Sequence, residues 1–351
     1  MLQTLQQADD LYRQGRRDEA EQVYRQALHA QPDNVEALHR LAVLELQRGQ
    51  PIEALGYIGS ALALRPDDPA VLSDFGLIQV ALGDSDGALA SFDGALSINP
   101  NHQPSLRHRG RMLQALGRLA PAIESYDRAL SLNGDDLDVL NNRAVALQGL
   151  GRLDEALDGC ERALSLKPDY PEALSNRGNL LRAMGRTAEA LASYDLALAA
   201  KPDFALVHSN RGNLLRDFAR MPEALASYDR ALALQPSFAE AHRGRAQTLL
   251  DLGRPAEALA SCERAIAVNA ADAEALNLRG VLMLGLSRPD EALASYELAL
   301  AFRPDFAEAA GNKGMLLVEL GRFDEAKEAL ERSIALDPRS ARAYYNLTLA
   351  K

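Results

Sequence analysis

The chain repeats itself every 34 residues. The string SNRGNLLRAMGR at residues 175–186 returns as SNRGNLLRDFAR at residues 209–220. Written in rows of 34, the sequence keeps one register through ten rows, with no insertion or deletion. Column twenty of this grid is alanine in every row, from Ala20 to Ala326. Column twenty-seven is alanine nine times and then Ser333, and column eight is always Gly or Ala. Column fifteen is glycine in eight rows, with Ala219 and Ser287 as the departures. Proline closes eight rows, and Gly134 and Ala270 stand in its place in the other two. A strict period of this length describes an array whose units bury their apolar faces only by stacking.

Within a row the apolar residues recur at helical spacing. Leu174, Leu180 and Leu181 mark a first helix, which Gly185 ends as a C-cap. TAEALASYDLALAA, residues 187–200, is a second helix, with Thr187 as its expected N-cap and Pro202 as its stop. Pro51, Pro255 and Pro289 occupy the Thr187 column, where a helix start tolerates a missing N–H. Two antiparallel helices approach closely only where side chains are small. The Gly or Ala of column eight is therefore expected to face the alanine of column twenty. The alanine of column twenty-seven is expected to meet the first helix of the next row.

Composition fits packed helices rather than sheets. Apolar residues make up 47 % of the chain, aromatics only 5 %, and Trp is absent. The net charge of −11 argues against a general nucleic-acid binder. No run of 18 apolar residues exists, so no membrane helix is expected, and the N-terminal stretch lacks the pattern of a secretory signal. Two cysteines, Cys160 and Cys262, point to a reducing compartment, and a cytoplasmic location is the expectation.

These columns resemble the tetratricopeptide repeat family. The resemblance covers residues 1–340 as ten tandem repeats, with Met1 on the first column. It continues through residues 341–351, ARAYYNLTLAK, as the first helix of a partial eleventh. It implies an all-α, right-handed superhelical solenoid of helix-turn-helix units. First helices would line the concave face and second helices the outer face. Members usually bind other polypeptides in that groove and perform no chemistry. On this reading Gly178 and Gly212 are helix-packing residues, and NRGN is not a phosphate loop, for it lacks the G-x-x-x-x-G-K-[ST] spacing.

Asparagine is a poor helix-interior residue. Yet column six reads Asn142, Asn176, Asn210, Asn312 and Asn346, and Asn179 and Asn213 follow three residues after two of them. The resemblance is to the asparagine-lined groove of O-linked N-acetylglucosamine transferases, which implies that column six points into the groove. There a run of amides grips the main chain of an extended polypeptide, since each offers two donors and two acceptor lone pairs. The alternative is that these are solvated residues kept through repeat duplication. Column six is interrupted by Gln6, Arg40, Asp74, His108, Gly244 and Leu278. Arg182 and Arg216 follow the asparagine pairs, and Arg107 and Arg111 accompany His108. With acidic pairs such as Asp154/Glu155 on the second helices, the groove is expected to be neutral to mildly basic. The arginine row Arg143, Arg177, Arg211, Arg245 and Arg279 is expected to be structural. The lysines needed for the family's two-carboxylate clamp are missing from columns five and six.

No catalytic, metal or cofactor constellation stands out. His208 and His242 fill equivalent columns, and His102 and His108 lack a usual ligand spacing. Cys160 and Cys262 share column twenty-four, three rows apart, where other rows have Tyr194 and Tyr228, so both are expected to be small core residues. The first reading is a non-enzymatic scaffold binding an extended polypeptide, with no nucleic acid, membrane or cofactor. The second is the substrate-recruiting arm of a larger protein. Bacterial arrays of this wording precede glycosyltransferase or sulfotransferase domains, which here would lie beyond residue 351. The third is a structural array that self-associates through its C-terminal face, where Tyr344, Tyr345 and Leu347 lie.

Overall fold

A computed structural model describes the backbone of residues 2–350 and the side chains of residues 5–350; Met1 and Lys351, the ends of the expected first and eleventh rows, lie outside them. The described residues form 21 helices and no strand. The odd-numbered helices are the first helices of successive rows: α1 (Leu2–Arg13), α3 (Val35–Gln47), α5 (Pro69–Ala81), α7 (Gln103–Ala115), α9 (Leu137–Gly149), α11 (Pro171–Ala183), α13 (Ala205–Asp217), α15 (Ala239–Asp251), α17 (Ala273–Gly285), α19 (Ala307–Glu319) and α21 (Ala341–Leu349). The second helices are α2 (Arg17–Ala30), α4 (Pro51–Leu64), α6 (Ser85–Ile98), α8 (Leu119–Leu132), α10 (Leu153–Leu166), α12 (Thr187–Ala200), α14 (Met221–Leu234), α16 (Pro255–Val268), α18 (Pro289–Phe302) and α20 (Phe323–Leu336). The chain divides into two compact units, one ending at Met184 and one starting at Gly185. In each unit a first helix packs against its own second helix, and that helix packs against the next first helix.

The turn inside each row has one geometry. Gly117 takes a φ of +71°, and the Arg118 N–H reaches back to the Leu113 carbonyl at 2.8 Å, closing α7 as a Schellman turn. Ala219 and Ser287 adopt φ of 55° and 58°, with the same return bonds from Arg220 to Leu215 and from Arg288 to Met283. The turn thus imposes a left-handed backbone even where a Cβ resists it. Replacing Ala219 with glycine removes a strain of about 1 kcal/mol. Ala219→Gly is therefore expected to raise the urea midpoint, and a lowered midpoint would show that the turn does not strain alanine.

The starts of the second helices correct one expectation. Thr187 is the first residue of α12, and Arg186 holds the N-cap position without a side-chain cap bond. The Arg186 guanidinium instead forks onto the Glu189 carboxylate at 2.8 and 2.7 Å. The same fork joins Arg152 to Glu155 and Arg220 to Glu223. Arginine cannot accept a backbone N–H, so this helix start has no side-chain cap, and the fork instead clamps the first turn through an ion pair.

Packing also departs from the expected column pairing. A Cβ on Gly76 would meet the Phe92 ring, and one on Gly212 would meet Tyr228 Cε1 at 2.9 Å. Column eight therefore faces the large residue of column twenty-four, and column twenty is not its nearest neighbour. Tyr228 is also hemmed by Gly244 of the next row, whose Cβ would lie 2.8 Å from the phenolic oxygen. Where column eight is alanine, column twenty-four shrinks: Ala42 goes with Ile58, Ala144 with Cys160 and Ala246 with Cys262. The exception is Ala8, whose row carries Tyr24. The two cysteines are fully buried and unbridged, and burial pushes both thiols up to about 12. Column twenty-seven meets the next row as expected, with Ala61 in one cluster with Val71, and Ala231 with Ala241.

Candidate binding surface on the first helices

The first helices carry the polar residues that the sequence singles out. In the N-terminal unit Asn142, Asn176 and Asn179 are half-buried and Arg182 is exposed. Asn176 donates its Nδ2 to the Asn141 Oδ1 at 2.7 Å. In the C-terminal unit Asn210, Asn213 and Arg216 are half-buried. Asn213 accepts the Tyr228 hydroxyl at 2.6 Å, and Arg216 lies 4.0 Å from the Asp217 carboxylate. Asn312 and Asn346 are buried, at 6 % and 8 % exposure. Asn312 donates to the Asn277 Oδ1 at 3.1 Å, and Asn277 donates to Glu308 at 3.1 Å.

A lateral rule connects these bonds. Column five of one row meets column six of the next, 35 residues on. Asn141–Asn176 and Asn277–Asn312 obey it, and so does His39–Asp74 at 2.6 Å. Asn312 is thus a bonded seam residue between successive first helices rather than an open rung, because the helices stand close enough for opposed amides to pair. Asn312 and Asn346 nonetheless share the wall of one cavity of about 370 Å³, with Glu308, Ser333, Asp337 and Arg342.

The arginine row is structural, as expected. Arg211 bonds Asp195 on the preceding second helix at 2.7 Å and Ser227 on its own at 2.9 Å. Arg245 repeats this with Asp229 and Ser261, and Arg109 with Asp93 and Ser125. Each of these three guanidinium groups ties two second helices through the first helix between them, and its charge is committed there. His208 and His242 likewise share one role: each ring Nε2 lies within 3.0 Å of a proline carbonyl six residues earlier, Pro202 and Pro236.

Acidity is not confined to the second helices. Column two supplies Glu36, Asp138, Glu172, Glu240, Glu274 and Glu308 to the first helices. Glu36 pairs with Arg40 at 2.9 Å, and Glu274 with Arg243 at 2.7 Å. The expectation of a neutral to mildly basic surface overlooked this column, although its 34-residue recurrence is plain in the sequence. Among the described residues no group of three or more His, Cys, Asp or Glu is arranged to hold a metal ion, and no helix is long and apolar enough to cross a membrane.

Tetratricopeptide repeat models match residues 5–69, 44–104, 73–136, 209–270 and 243–307, with two further repeat models on 135–203 and 283–350. The chain belongs to the tetratricopeptide repeat family. Tetratricopeptide arrays are protein–protein interaction scaffolds, and every family match to this chain is to the repeat itself. A tetratricopeptide repeat protein from Parabacteroides merdae is 22 % identical over 76 % of this chain and 98 % of its own, with a TM-score of 0.57. PilF of Pseudomonas aeruginosa is 19 % identical over 61 % of this chain and 98 % of its own, with a TM-score of 0.55. At these identities the likeness shows the tetratricopeptide fold and nothing finer. No curated protein matches the sequence.

Proposed function

We propose that the first helices of each unit bind extended polypeptide, and that a set of amides in each unit holds the main chain it meets. One set is Asn142, Asn176 and Asn179 in the N-terminal unit, with Arg182 adding charge selection. The other is Asn210 and Asn213 in the C-terminal unit, with Arg216 in the same role. The supporting observation is the contrast between neighbouring columns. The Arg211 guanidinium of column seven is divided between Asp195 and Ser227 on two second helices, whereas Asn142, Asn176 and Asn210 in column six lie half-buried on the first helices, where Asn176 donates its Nδ2 to Asn141 on the neighbouring first helix. An extended chain presents alternating N–H and C=O groups, and an amide answers either without reading side chains. Asn312 and Asn346 would contribute from the cavity wall, where a ligand side chain could seat, rather than as part of an open row.

The test is a crosslinked pull-down comparing the wild type with the Asn176→Ala/Asn210→Ala variant, followed by affinity measurement on the recovered partner. Each lost hydrogen bond is expected to weaken binding about fivefold. Asn176→Ala also removes the bond to Asn141, so a stability loss of about 1 kcal/mol accompanies it. Equal recovery and equal affinity for the two proteins would overturn the amide reading.

A further inference from the structure

One first helix differs from its neighbours in charge. The segment QPSLRHRGRMLQA of α7 carries three arginines and a histidine and no acidic residue. At column two, where six rows place a carboxylate, α7 has Pro104 and the preceding row has Ala70. Arg109 is spent on Asp93 and Ser125. The other three basic groups, Arg107, His108 and Arg111, lie at spacings that put them on one face of the helix. Arg111 is exposed and pairs with no carboxylate among the described residues. Arg107 has only the Asp136 carboxylate, at 3.8 Å, and Asp136 already caps α9 by accepting the Val139 N–H.

His108 is equally uncommitted. Its Nδ1 is buried without a hydrogen-bond partner, and so is the hydroxyl of Ser73, the column-five residue of the preceding row. The imidazole lies against the Phe92 ring, with centroids 5.9 Å apart. Burial, then the charges of Arg107 and Arg111, push its pKa down to about 4, with Asp74 opposing them and His102 adding a little. Asp74 itself is held by His39 at 2.6 Å. Elsewhere Arg40 finds Glu36 in its own row and Arg243 finds Glu274 in the next row. On α7 column two is Pro104, and the next row's Asp138 already accepts the Tyr170 hydroxyl.

We propose that Arg107, His108 and Arg111 form an anion-recognition site on α7 that seats a carboxylate from an acidic segment of the bound polypeptide. The site rests on the reading that the first helices bind an extended chain, and it adds the chemistry of one anchor. Arg111 offers a guanidinium fork to the carboxylate, and Arg107 reinforces the field. His108 is neutral in the unliganded protein. A carboxylate nearby favours the imidazolium, so binding draws a proton onto the ring and tightens as the pH falls below neutrality.

The probes are a short oligoglutamate peptide and its oligoglutamine counterpart, titrated calorimetrically into the full chain. Oligoglutamate is expected to bind and oligoglutamine to bind far more weakly. Arg111→Gln, a change at an exposed side chain that leaves the core alone, is expected to cost about tenfold in oligoglutamate affinity. His108→Asn should flatten the pH dependence of binding, and in the wild type the His108 ring resonance should titrate at higher pH when oligoglutamate is bound. Equal affinity for the two peptides, or an Arg111→Gln protein that binds oligoglutamate as the wild type does, would overturn the site. The Asn176→Ala/Asn210→Ala variant separates the two proposals. If only that variant loses the pulled-down partner, the amides act and the α7 site does not; if only Arg111→Gln loses binding, the reverse holds.

Discussion

Gly76→Ala is expected to destabilise the N-terminal unit by about 2 kcal/mol, although alanine is the better helix former. Inside a helix the exchange alone would gain about 1 kcal/mol. Here the new Cβ would lie 2.5 Å from the Phe92 Cε1, and Phe92 is fully buried, so the ring has nowhere to turn. Overpacking of this kind costs about 1–3 kcal/mol and outweighs the propensity gain when no neighbour can give. The urea midpoint and amide exchange in α5 and α6 report the loss. Adding Phe92→Ile copies the Ala42/Ile58 combination of the preceding row and is expected to restore most of it. A double-mutant cycle that shows simple additivity would mean that columns eight and twenty-four do not compensate each other.

Asn312→Ala is expected to cost about 2 kcal/mol in the C-terminal unit. It leaves the Asn277 Oδ1 buried with no donor in the place of the lost amide, and the desolvation of an orphaned acceptor exceeds the worth of the bond itself. The double variant Asn277→Ala/Asn312→Ala removes both partners, so it should cost less than the sum of the single changes. The Glu308 carboxylate is exposed and turns to solvent once Asn277 is gone. Additive losses in denaturant unfolding would show that the two amides are not coupled. The experiment also separates roles, for a seam residue lowers stability when removed, whereas a ligand-gripping residue lowers affinity.

Much of the architecture was legible because it is local and repeated. The second helix read as residues 187–200 coincides with α12, and the left-handed turn falls at column fifteen in every row described. Ala219 and Ser287 obey that turn without glycine, because the return hydrogen bond and the packing of the flanking helices overrule the local preference. The N-cap was misread because Thr187 has the right chemistry at the wrong position. The fork from Arg186 to Glu189 leaves no signature in single-residue cap preferences. The compensation between columns eight and twenty-four was present in the letters, in pairs such as Ala144 with Cys160, but two columns had to be compared to see it.

The candidate surface was only half legible. The sequence placed Asn142, Asn176 and Asn312 in one column and so on one face of each first helix, since the helical period fixes that much. It was silent on what each amide meets. The partner of Asn312 stands on the preceding first helix, and the pairing stagger of 35 residues differs by one from the repeat. That offset arises from how far adjacent helices are turned and shifted against each other, a quantity set by the volumes of the packed side chains. The letters therefore determined the unit, its helices and its small packing positions. Only the assembled neighbours decided which polar groups are consumed in holding rows together and which, such as Arg111, remain for something else.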